Sequence, residues 1–286
     1  MFRSIREMMK HDKRFLFGFT AIVFFIIISI ISLFSPYDLS SWNEVPRDMP
    51  VSGEYLLGTS SLGQDIMWRA TAAVKNSLIL GLIAASISRV IAIILGLFAG
   101  YKGGIADRLI MTFNDSFIII PLFPILILIA SILRSSMSIV VLGLTIGMLG
   151  WAWDARLFRS QILSLKQREF TRTAMLSGMK STRIITKEHI PYIIPLIMAA
   201  TINNMIWVIG MEVTLSMLGL SSLNTPTIGT MVYWALQYQA LFRGMWNWIL
   251  TPVVISIVLI ISLYLLSTSI SNYLDPRIRL QMIKGE

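Results

Sequence analysis

FLFGFTAIVFFIIISIISLF, residues 15–34, runs without a charged side chain between Lys13–Arg14 on one flank and Ser35-Pro36-Tyr37-Asp38 on the other. A bilayer core about 30 Å thick is crossed by roughly 20 apolar residues in a helix, because every backbone polar group in hydrocarbon must be paired within its own segment. The stretch reads as a membrane-crossing helix. It is too long for a secretory signal and no small-residue cleavage pattern follows it, so the helix is expected to be retained.

Outward from it, five more stretches have the same character, at about 77–100, 117–133, 137–153, 190–211 and 248–270. The composition agrees: of 286 residues, 55% are hydrophobic and only 14% charged, and the mean hydropathy is +0.73. Such a chain has lipid as its main solvent. The expected fold is an all-α integral membrane protein with six transmembrane helices. Cysteine is absent, which excludes a disulfide framework, a thiolate metal site and a cysteine nucleophile.

The formal charge of +9 could point to nucleic acid. In a membrane protein it has a simpler source, since Lys and Arg accumulate in cytoplasmic loops. With both termini inside, the inner side receives Arg3, Arg6, Lys10, Lys13 and Arg14, then Lys102 and Arg108, then eight residues from Arg156 to Lys187, and finally Arg277, Arg279 and Lys284. Outside fall only Arg47, Arg69, Lys75, Arg134 and Arg243. This asymmetry predicts N-in and C-in. The acids and turn formers of 36–76 read as an external surface segment with room for one short helix.

The segment EFTRTAMLSGMKSTRIITKEHIPYIIP, 169–195, is a long polar connection with apolar positions at helical spacing on both sides of Gly178. It predicts two short helices joined at that glycine, with Pro191 and Pro195 marking re-entry into the membrane. No Gly-rich loop ending in Gly-Lys-Ser/Thr occurs, so no nucleotide site is visible.

Glu169, Ala174, Gly178 and Pro191 stand in the frame of the ATPase-coupling loop of ABC importer permeases, which this segment resembles; Thr173 and Met175 depart from it. LGTSSLGQDIMWR at 57–69 is similar to the external segment of the oligopeptide, dipeptide and nickel permease group. Further matches are Ala99 to Tyr101 with Gly103, Gly104 and Asp107, then Asp115, Pro121, Pro124, Trp151, Ala155 and Arg156, with Asp154 where an aromatic is usual. Leu215-Ser216, Leu218-Gly219-Leu220 and Leu274-Asp275-Pro276-Arg277 complete the set, while Thr225–Gly229 lacks the group's tryptophan.

The resemblance implies a type I ABC importer permease of the second-subunit type. Its layout would be a cytoplasmic N-terminus 1–14, a first helix 15–34, an extracytoplasmic segment 35–74, the permease domain 75–272 and a cytoplasmic tail 273–286. It implies a second related permease, two cytoplasmic ATPase subunits that bind the ATP, and an extracytoplasmic substrate-binding protein. This chain would be no enzyme and hold no cofactor or metal. Peptides are the group's default cargo, with oligosaccharides or nickel as alternatives; a secondary transporter would need intramembrane acids, of which only Glu212 suggests itself.

Taken singly, several of these residues have plain readings. Gly178 is an ordinary loop glycine and Glu169 a carboxylate favoured by a helix N-terminus; only their frame gives them a role. Asn203, Asn204 and Thr201 serve a pathway or hydrogen-bond between helices. Arg89 lies about 18 Å into the second span, where a charge must meet a polar cavity, a partner subunit or an acid. His11 and His189 lack companions for a metal site.

Overall fold

The computed structural model describes residue 9 and residues 12–274. The basic N-terminal residues Arg3, Arg6 and Lys10, His11, and the tail from Asp275 lie outside the described residues.

Helix α1, Lys13–Ile31, starts where the Asp12 carboxylate accepts from the Arg14 backbone N–H at 2.8 Å, a side-chain cap for a free helix donor. After a 3₁₀ turn at Ser32–Phe34, the chain passes through turns to residue 65, held by one isolated bridge between Thr59 and Asp65. Asp65 then caps α2, Ile66–Lys102, accepting from Trp68 N at 3.0 Å.

Helix α2 begins at Ile66 rather than at 77, so Arg69 and Lys75 belong to a helix and not to the preceding loop. Its first turns are sheltered by the polypeptide of 35–65: the buried Arg69 donates to the Leu39 carbonyl at 2.6 Å and Gln64 donates to the Ser41 carbonyl at 2.8 Å. A hydropathy boundary marks where a helix enters lipid. Here the helix outlasts that boundary because protein, not lipid, covers its start.

The middle of the chain consists of two bent pairs. Helices α3, Gly104–Ile119, and α4, Leu122–Ile132, meet at 78°; Pro121 holds Ile120 extended and donates no N–H, which stops α3. Helices α5, Ile139–Leu149, and α6, Ala152–Lys166, meet at 46° across Gly150 and Trp151. The expected segments 117–133 and 137–153 are thus apolar parts of longer, broken elements.

Then follow α7, Glu169–Leu176, α8, Ser181–Ile184, a π turn at Ile185–His189, α9, Ile190–Met217, α10, Ile228–Gln237, and α11, Trp246–Leu274. Among the described residues, four helices are long and apolar enough to cross a membrane, up to six spans if each bent pair counts as one. Pro191 and Pro195 do not break α9. Pro191 lies in its first turn, and the wider turn before it closes through an Ile190 N–H to Ile185 carbonyl bond, which accommodates the ring's bulk and missing donor.

Helix α2 is the spine, packed on α5, α6, α9 and the outer helices. Its small residues let backbones approach, the usual basis of helix association in lipid: a Cβ on Gly96 would fall 2.5 Å from the Ala155 carbonyl oxygen, and one on Gly100 2.8 Å from that of Arg159. Ion pairs fasten the same end. Arg159 grips Asp107 with two bonds of 2.5 and 2.6 Å, and Arg156 pairs with Asp115, which ties α3 to α6.

Candidate functional site

Two groupings carry chemistry. The first is the hairpin of α7 and α8. Gly178, at φ +74°, turns the chain between them, with Gly178 N bonded to Met175 O at 3.0 Å and Met179 N to Ala174 O at 3.1 Å. These bonds satisfy the carbonyls at the end of α7, and the left-handed φ is one only glycine adopts freely. Ala174 and Ile184 face inward and are buried, whereas Leu176 at the tip is 90% exposed. Glu169 and Pro191 are exposed at the base.

An inner lock holds the hairpin to the helix ends. The buried Thr171 hydroxyl donates to the Leu165 carbonyl at 2.8 Å and lies 3.0 Å from His189 Nε2. With its one hydrogen committed to Leu165, the hydroxyl accepts from His189, so the ring carries its proton on Nε2. His189, which lacks sequence companions, is therefore a structural partner of Thr171. A cleft of about 670 Å³ lies between the hairpin and the ends of α2 and α6, lined by Tyr101, Lys102, Lys166 and Gly178.

The second grouping lies among the spans. Arg89, 5% exposed on α2, is 3.1 Å from the Asp154 carboxylate of α6, donates to Thr201 of α9 at 2.9 Å, and lies 5.1 Å from the centre of the Phe158 ring. Among the described residues the guanidinium meets an acid, one of the three surroundings expected for a mid-span charge. Asp154, at the position where the resemblance has an aromatic, is the counter-charge of Arg89. Glu212 is accordingly not the sole acid within the membrane region, as the sequence suggests.

Asn204 is buried beside this pair, its amide donating to the Gly150 carbonyl at 3.2 Å and to Ser88 at 3.3 Å; Asn203, one position earlier, is exposed. Asp154, Asn203 and Asn204 line one cavity of about 240 Å³ with Phe117, Trp153 and Trp207. The structure thus joins Arg89, Asn203 and Asn204 around Asp154, and sets Glu169, Ala174, Gly178 and Pro191 together in the hairpin.

At the opposite end, Glu212 is fully buried and accepts from Ser216 at 2.7 Å and Thr227 at 2.5 Å. Gly229 is required there, since a Cβ would lie 2.8 Å from the Glu212 oxygen. Arg243 joins the last loop to the 35–65 segment through Asp48 at 2.8 Å and Ser61 at 2.6 Å. Partial burial raises the Asp48 carboxyl, but the Ser61 hydroxyl and the Arg243 charge outweigh it and hold the group below its ordinary value.

A helical, multi-pass membrane protein with a protruding two-helix knob and a polar cluster inside its spans has the build of a transport component. The chain belongs to the binding-protein-dependent transport system inner membrane component family, whose profile matches residues 92–280. It is 29% identical to the oligopeptide transport system permease protein OppC of Lactococcus lactis subsp. lactis, over 96% of this chain and 94% of that protein. The corresponding OppC of Bacillus subtilis is 30% identical over 74% of this chain and 69% of its own length. The dipeptide transport system permease protein DppC of Bacillus subtilis is 26% identical over 95% and 84%.

Proposed function

We propose that this chain is one of two related membrane subunits of an ATP-driven importer of oligopeptides or dipeptides. It has six crossings with both ends in the cytoplasm, and its 169–189 hairpin docks into a cytoplasmic ATPase. ATP is bound by two such ATPases and not by this chain, and an extracytoplasmic binding protein delivers the cargo. Residues 75–272 form the permease domain, preceded by an extracytoplasmic segment to about 74. The peptide cargo rests on the oligopeptide and dipeptide systems to which the relatives belong.

The observation that carries this reading is the hairpin: a short helical knob with an apolar tip, fixed at its base by Thr171 and His189 and turned by a left-handed glycine. A rigid protrusion converts closure of the ATPases into movement of the spans, as rigid-body transitions require.

Gly178→Val tests it. Nothing lies within 4 Å of an added Cβ, so the substitution strains only the backbone, by on the order of 1 kcal/mol or more at positive φ, and redirects the knob. The expected outcome is normal membrane abundance with loss of ATPase co-purification or of peptide uptake. Wild-type docking together with wild-type uptake overturns the assignment of the hairpin.

A further inference from the structure

Val90, Ile94 and Phe98 follow one another at intervals of four along α2 and are 56, 60 and 47% exposed. Residues so spaced share one face of a helix. Four positions further stands Lys102, the first charge after Arg89. From Val90 to Lys102 the stripe runs about 18 Å at 1.5 Å per residue, close to half of a hydrocarbon core about 30 Å thick and so to the reach of one leaflet's acyl chains.

Phe98 and Lys102 then enter the lining of the cleft between the hairpin and the helix ends, where the chemistry turns from apolar to cationic. The Lys102 ammonium stands 5.2 Å from the centre of the Phe98 ring. That of Lys166, from α6, stands 5.4 Å from the Tyr101 ring and donates to the Tyr101 carbonyl at 2.7 Å. Both rings belong to the lining, so both charges are held at the cleft. An ammonium has three donors, and Lys166 commits one of them to Tyr101. The hairpin adds the hydroxyls of Ser181 and Thr182. Among the described residues the lining holds no carboxylate; at the same end, Asp107 and Asp115 are engaged by Arg159 and Arg156.

Two ammoniums and two hydroxyls without an acid suit an anion with several acceptor oxygens, and a phosphate is such a group. The stripe that reaches Lys102 from the membrane indicates what the phosphate is attached to. A free phosphate or a nucleotide leaves Phe98, Ile94 and Val90 unused, whereas a phospholipid lays a chain on them while its headgroup meets the cations. Basic pockets between membrane helices are established places for anionic headgroups.

We propose that this cleft binds an anionic phospholipid from the leaflet on the hairpin's side of the membrane. Its phosphate lies on Lys102 and Lys166, and one acyl chain follows Phe98, Ile94 and Val90. The lipid touches α2, α6 and the hairpin at once, which makes it part of the hairpin's seat. The exposed tip residue Leu176 is not in the lining, so a headgroup in the cleft and a protein seated on the tip use different surfaces. Only the membrane crossing of α2 is required for this, not the importer reading.

The test uses the complete complex, with partner permease, ATPases and binding protein, in phosphatidylcholine nanodiscs. These contain a trace of phosphatidylglycerol with a photoreactive diazirine in one acyl chain, or of phosphatidylcholine with the same chain. After irradiation, adducts on this chain are located by mass spectrometry. Phosphatidylglycerol is expected to mark residues 90–98 in clear excess over phosphatidylcholine. Lys102→Gln and Lys166→Gln are each expected to lower that yield about fivefold, the scale of one lysine near an anionic membrane surface. Lys102→Arg, Lys166→Arg and Lys187→Gln, the last an exposed lysine outside the lining, are expected to retain it.

Equal marking by the two lipids in the wild type overturns the site, and that comparison needs no variant to fold. Absence of adducts from 90–98 shows that protein covers the stripe and overturns it as well. An equal loss in Lys187→Gln reduces the effect to general surface charge. Excess glycerol phosphate, the headgroup without chains, is expected to leave the marking unchanged; displacement by it assigns the cleft to a free phosphate instead.

Discussion

A guanidinium within a membrane span is tolerated when its charge is met, and the Arg89–Asp154 contact of 3.1 Å meets it. Removing one partner of a buried pair leaves the other stranded, at a cost of about 3–5 kcal/mol, whereas replacing both by apolar residues is often near neutral. Arg89→Leu and Asp154→Leu are therefore expected each to lower the unfolding temperature of the purified protein in detergent more than the double variant does. Additive losses in this double-mutant cycle would show that the two charges do not support one another. Arg89 is recognisable in the sequence as a charge needing an answer. Its partner stands 65 positions later, beside a bend, and reads there as the start of a basic loop.

At the scale of elements, the hairpin is legible because one glycine between two short apolar patterns is a local signal, and Gly178 at φ +74° fulfils it. The Thr171–His189 lock within that hairpin is not legible, because neither residue type at that spacing signals a bond. Contacts between helices are less legible still. Gly96 looks like any glycine in an apolar run, yet its hydrogen stands where a Cβ would be 2.5 Å from the Ala155 carbonyl oxygen. Gly96→Val is expected to separate α2 from α6 at a cost of about 1–3 kcal/mol or more, as overpacking does, seen as reduced membrane abundance and a lower unfolding temperature. Gly53→Val, where an added Cβ meets nothing within 4 Å, is the matched control. Equal abundance and stability of the two variants would contradict the close approach of α2 and α6.

For the whole molecule the decisive property is orientation. Eighteen of the 24 Lys and Arg fall on the side assigned to the cytoplasm, and the chain has no cysteine to interfere with labelling. Single cysteines at the exposed positions Lys180 and Asn224 are expected to react with an impermeant reagent in intact cells only at Asn224. Labelling confined to the Lys180 position would invert the topology and remove the hairpin from reach of an ATPase.

Hydrophobicity, charge asymmetry and glycine placement are properties of the chain read in line, and they determine what the sequence determines by itself: a helical membrane protein, its apolar stretches and the knob between them. The extension of α2 back to Ile66, the 78° and 46° bends, and the union of Arg89, Asp154, Thr201 and Asn204 were decided only by tertiary structure. The reason is physical. A lipid-facing residue is selected by a uniform solvent and shows in composition, but a residue that faces protein is selected by one particular neighbour, brought to it from a distant part of the chain by the packing of helices.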